Sequence, residues 1–73
     1  MDTVEKMLEQ IEENTRQILE NRRELLGEDP FRRAAAARLN RSYAEANLAL
    51  WGKVADALEL EALAGITKGK ASE

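Results

Sequence analysis

The chain has no cysteine and no histidine among its 73 residues. Without cysteine no disulfide can reinforce a small core, and a reducing compartment suits such a chain. Without either residue the usual zinc ligands are missing, and Ser42, Thr15 and Tyr43 have no imidazole to activate them. Carboxylates remain as charged metal ligands. Di-iron bundles, however, combine inward glutamates with a Glu-x-x-His pair, and Glu9, Glu12, Glu13, Glu59 and Glu61 read here as a solvated face. No metal, cofactor or catalytic residue is expected, and the chain reads as a non-enzyme. Proline occurs once and glycine four times. The glycines, at 27, 52, 65 and 69, stand in unrelated contexts and form no phosphate-binding loop. No apolar run is long enough to span a bilayer, and the N-terminus, Met-Asp-Thr-Val-Glu, is acidic where a secretion signal is basic. A cytoplasmic protein with no membrane attachment is expected. An amphipathic surface helix over 48–66 is disfavoured because Asp56, Glu59 and Glu61 outweigh Lys53 on its polar side.

Alanine, leucine, glutamate and arginine dominate what is present, a composition suited to long helices. The first helix is expected over residues 3–26. Val4, Leu8, Ile11, Thr15, Ile18, Arg22 and Leu25 share one face, with Met7, Leu19 and Leu26 at its edges. Val4, Ile11, Ile18 and Leu25 recur every seven residues, the seam spacing of a coiled coil. Glu12 and Arg16 form an i,i+4 pair in the favourable order. Residues 27–29 make the turn: Gly27 suits a left-handed C′ position, Asp29 an N-cap and Pro30 the first helical position. A second helix is expected over 30–64, ended by Gly65, with 67–73 as a flexible tail. Gly52 costs about 1 kcal/mol inside it without stopping it.

So short a connection makes the two helices antiparallel neighbours. The predicted fold is therefore all-α: one helical-hairpin domain over residues 1–66. At 1.5 Å per residue the helices measure roughly 37 and 52 Å, and the second overhangs the first. Aligning Leu26 with Phe31 brings Met7 opposite Leu50, and Asn14 and Thr15 near Ser42 and Tyr43. These four polar residues read as a layer that sets register and oligomeric state, as buried Asn does in coiled coils. The outline resembles, in length and shape, type III secretion needle subunits, their small co-chaperones and phage- or plasmid-encoded bundle proteins. No residue motif specific to those families is present, and no site is carried over.

The second helix carries two apolar stripes. Ala35, Leu39, Ser42, Ala46, Ala49 or Leu50, Ala57, Leu60 and Ala64 follow one side and are expected to meet the first helix. Ala44, Leu48, Trp51, Ala55, Leu58, Ala62 and Ile66 follow another, and a surface helix needs only one. The second stripe is read as an interface, with Trp51 at its centre. So small a core calls for oligomerisation or docking. The expected partner is a second copy, most simply a dimer forming a four-helix bundle, or a different protein that the chain serves as adaptor, chaperone or inhibitor. The net charge of −3 conceals a basic stretch, Arg32, Arg33, Arg38 and Arg41. A nucleic-acid-binding accessory role is the alternative reading of that stretch. Pairing with Glu20, Glu24 and Glu28 across the hairpin is the simpler one.

Overall fold

A computed structural model describes the backbone of residues 3–72 and the side chains of residues 3–65. All elements among the described residues are helical: α1 spans Thr3–Glu20, α2 Arg22–Leu25 and α3 Pro30–Ser72. Asn14 in α1 and Asn21 between α1 and α2 meet α3 through side-chain amides. Asn14 Nδ2 donates to Asn47 Oδ1 at 2.9 Å, and Asn21 Nδ2 donates to Asn40 Oδ1 at 2.8 Å. Moving forward from Asn14 to Asn21 moves back by the same seven residues from Asn47 to Asn40, so α3 runs antiparallel to α1.

That register sets Val4 opposite Ala57, Met7 opposite Val54, Ile11 opposite Leu50, Ile18 opposite Tyr43 and Leu25 opposite Ala36. The positions alternate by three and four residues on both helices, the spacing of a coiled-coil seam. The apolar core is correspondingly thin: Ile11, Ala36 and Val54 are the buried apolar residues among those described, and Asn14 is buried with them.

The seam differs from the expected one in two ways. The alignment is shifted by one helical turn, so Asn14 meets Asn47 and not Ser42 or Tyr43. The hydrogen bond from buried Asn14 to half-buried Asn47 favours this alignment over the one drawn from the turn, because an unpaired buried amide costs about 1–3 kcal/mol. Secondly, α3 faces α1 with Ala36, Asn40, Tyr43, Asn47, Leu50, Val54 and Ala57, and Leu39 and Ala46 are exposed beside that line. On α1 the seam uses Met7, Asn14 and Asn21, while Leu8, Thr15 and Arg22 flank it in solvent.

The first helix is also not continuous to residue 26. It breaks at Asn21. Asn40 Nδ2 donates to the Ile18 carbonyl at 3.2 Å, the acceptor that an uninterrupted helix reserves for the amide of Arg22, the first residue of α2. A side chain inserted into the i→i−4 ladder is a recognised cause of such a break.

At the turn, the Gly27 amide donates to the Glu24 carbonyl at 3.2 Å, tightening the last turn. No described glycine has a positive φ, so Gly27 does not take the left-handed position expected of it. Its role is one of space, since a Cβ there would stand 3.3 Å from the Glu24 carbonyl oxygen. Asp29 caps α3 as expected: its Oδ1 accepts from the Phe31 amide at 2.9 Å and from Arg32 at 3.4 Å. Arg33 Nε donates to the Leu25 carbonyl at 3.0 Å, satisfying an end group of α2.

α3 does not stop at Gly65 but runs to Ser72. Glycine lowers helix propensity by about 1 kcal/mol without forbidding the helix, and no proline follows to end it. The expected tail over 67–72 is thus helical backbone, while Glu73 lies outside the described residues. The molecule measures 66 × 18 × 14 Å. Thr3 falls opposite Leu58, so α3 from Glu59 onward extends about 21 Å past the described part of α1.

Candidate interaction surface

The polar layer is built from both pairs of helix-facing asparagines. Around Asn14, Gln10 Nε2 donates to Asn14 Oδ1 at 3.1 Å, and Asn47 Nδ2 donates onward to Thr15 Oγ1 at 3.3 Å. Thr15 in turn donates to the Ile11 carbonyl at 2.8 Å. Asn14, Asn40 and Asn47 each use a donor and an acceptor, and no buried side-chain nitrogen or oxygen among the described residues lacks a partner. Of the four residues expected in this layer, Asn14 and Thr15 take part. Ser42 does not: it is exposed and its hydroxyl donates to the Arg38 carbonyl of its own helix. Tyr43 is half-buried in the seam opposite Ile18. Asn40 and Asn47 complete the layer and were missed. Their seven-residue spacing, equal to that of Asn14 and Asn21, was the available signal.

The exposed members of the two expected stripes of α3 flank the seam on either side by roughly a quarter turn, while Leu50 and Ala57 of the first stripe lie in the seam itself. On one flank, Ala44, Leu48, Trp51, Ala55, Leu58 and Ala62 are all exposed, Leu48 at 74%, Trp51 at 50% and Leu58 at 47%. The side chain of Ile66 lies outside the described residues. In an antiparallel pair, positions just after the seam on one helix neighbour the equivalent positions on the other. Leu8 and Thr15 of α1 therefore border this flank, at the level of Trp51 and Ala44. Leu19 and Leu26, exposed at 68% and 70%, continue it towards the turn. The opposite flank is bordered on α1 by Gln10, Gln17 and Glu24. On that side α3 presents apolar residues and the chain before it adds Leu8, Leu19 and Leu26 among Glu12, Thr15 and Arg22, while the other side is mixed. Phe31 is exposed at the turn end.

The charges are arranged along helices rather than across them. Arg16 bridges Glu13 and Glu20, the latter at 2.8 Å; Arg41 pairs with Glu45 at 3.0 Å and Arg32 with Asp29 at 3.9 Å. These replace the expected pairing of the arginines with Glu20, Glu24 and Glu28 across the chain, and of Arg16 with Glu12. In the register observed, alanines and leucines of α3, not its arginines, flank the first helix. The Arg16 hydrogen bond, with one from Gln17, holds the Glu13 carboxyl below the usual glutamate range, and Glu13 raises Arg16 in return. The two grooves beside the turn are shallow; one is lined by Leu25, Pro30, Arg33, Ala34 and Ala37. Among the described residues no three acidic side chains gather into a metal-binding group, and no helix is long and apolar enough to cross a membrane.

No protein-family model, curated protein or solved structure matches this chain.

Proposed function

We propose that the chain is a non-enzymatic protein–protein interaction module. It is a helical hairpin that docks the face centred on Trp51 onto a helix of another chain. That chain is either a second copy, giving a four-helix bundle, or a larger protein served by an adaptor, chaperone or inhibitor. The observation that carries this reading is the imbalance of apolar surface. Among the described residues three apolar ones are buried, while ten large ones are exposed. Six of those ten, Leu8, Leu19, Leu26, Leu48, Trp51 and Leu58, lie on the same side of the rod. A contiguous exposed apolar patch on a small protein marks an interaction site, and tryptophan is the residue type most enriched at binding hot spots.

The test is sedimentation equilibrium over a concentration series, together with binding of a dye that reports exposed apolar surface. Trp51→Ala is expected to cost roughly 2–4 kcal/mol of association. Leu48→Asp is expected to cost more, by placing an unpaired charge in the contact. A wild-type chain that is monomeric and binds no dye overturns the proposal.

A further inference from the structure

We infer that the occupant of this face is a second copy of the chain, lying antiparallel to the first, with Leu48 of each copy against Trp51 of the other. The inference rests on the reading of this face as an association surface and names what covers it. A two-fold pair uses the same patch on both copies, so the patch must match itself when reversed. The stripe Ala44, Leu48, Trp51, Ala55, Leu58, Ala62 does so, because its steps of four, three, four, three and four read alike in both directions. That leaves a small set of registers, seven residues apart. One is centred between Ala49 and Leu50, one on Lys53 and one on Ala46.

The charges along the stripe's outer edge, the edge away from α1, select among them. That edge reads Arg38, Glu45, Gly52, Glu59, each seven residues from the last. Centred between Ala49 and Leu50, the pair sets Arg38 beside Glu59 of the other copy, twice, and Glu45 beside Gly52, which has no side chain to oppose it. Centred on Lys53, it sets Glu45 beside Glu59. Centred on Ala46, it sets Glu45 beside Glu45. Both alternatives juxtapose like charges, which destabilises a helix pair and is how flanking charges specify register.

The same register accounts for the overhang. The segment from Leu58 to Gly65 of one copy runs beside Arg41 to Ala34 of the other. At that level the first copy has no α1, so three helices meet there, and the overhang lies in the groove bordered by Leu19 and Leu26. The exposed Leu19 and Leu26 and the unaccompanied part of α3 thereby cover each other.

Because the chain has no cysteine, single cysteines report the arrangement directly. Ala44→Cys mixed with Ala55→Cys is expected to give a disulfide-linked heterodimer on mild oxidation, since bridged Cα atoms lie about 4.4–6.8 Å apart. Ala44→Cys mixed with Ala62→Cys is expected to give none. Arg38→Glu is expected to weaken the dimer roughly tenfold, and Arg38→Glu with Glu59→Arg to restore it. Linkage of Ala44→Cys with Ala62→Cys, or of Ala55→Cys with itself, overturns the register. A chain that is monomeric at concentrations on the order of 100 µM yet binds the dye overturns the second copy as occupant. That last result leaves the face standing as a site for a different protein, and so separates this inference from the reading beneath it.

Discussion

Single side chains decide how these helices meet. The Asn14–Asn47 amide pair is satisfied within the seam, so removing one member strands the other. Asn14→Leu is expected to lower the melting temperature, with a cost of about 1 kcal/mol or more from Asn47 left without its donor. Replacing both with leucine is expected to raise it while loosening the choice of register, because two matched apolar groups fit equally well one turn along. Thermal melts with sedimentation analysis check both outcomes, and a stable double variant of single, unchanged stoichiometry contradicts the second. Glu13 supplies a pH dependence. Its carboxyl is held below the ordinary value in the folded chain. Its small contribution to helicity is therefore complete above the unfolded glutamate pKa and is lost as pH falls through the folded one. Glu13→Gln is expected to flatten the acid limb of a helicity titration, and an unchanged limb shows that Arg16 finds equal support in Glu20.

Helices and turns were legible in unequal degree. The seven-residue recurrence of Val4, Ile11, Ile18 and Leu25 reports the seam of the first helix because every member is apolar. The seam of α3 was hidden because two of its members, Asn40 and Asn47, belong to a residue type usually assigned to the surface. Alanines and leucines on both flanks of α3 outnumbered the true contact line, so counting apolar positions found its borders. The break at Asn21 had no local signature, since it arises from Asn40 on the other helix. The N-cap at Asp29 was legible, and Asp29→Ala is expected to cost about 1 kcal/mol. Gly65 read as a stop, yet the helix passes through it and a Cβ there would meet nothing within 4 Å. Gly65→Ala is accordingly expected to increase helical circular dichroism and stabilise the helix by up to about 1 kcal/mol. A loss of helicity would show that glycine is required at that point.

The whole molecule is a rod with a thin apolar core among its described residues. With so few buried residues, the folded chain is expected to gain stability from association by mass action, and its melting temperature to rise with concentration. Melts across a hundredfold dilution check this, and a constant melting temperature shows that folding and association are independent. The dimensions carry a consequence for any such measurement. The Cα radius of gyration is 18.5 Å, against about 11 Å for a compact globule of this length. A body so elongated drags more solvent than its 8.2 kDa would suggest, and in gel filtration a lone chain emerges early enough to pass for two. Side-by-side pairing in register adds girth more than length, so true doubling moves the peak less than globular standards imply. Elution volume thus blurs the distinction that matters most for this chain, and light scattering or sedimentation, which weigh the particle, resolve it.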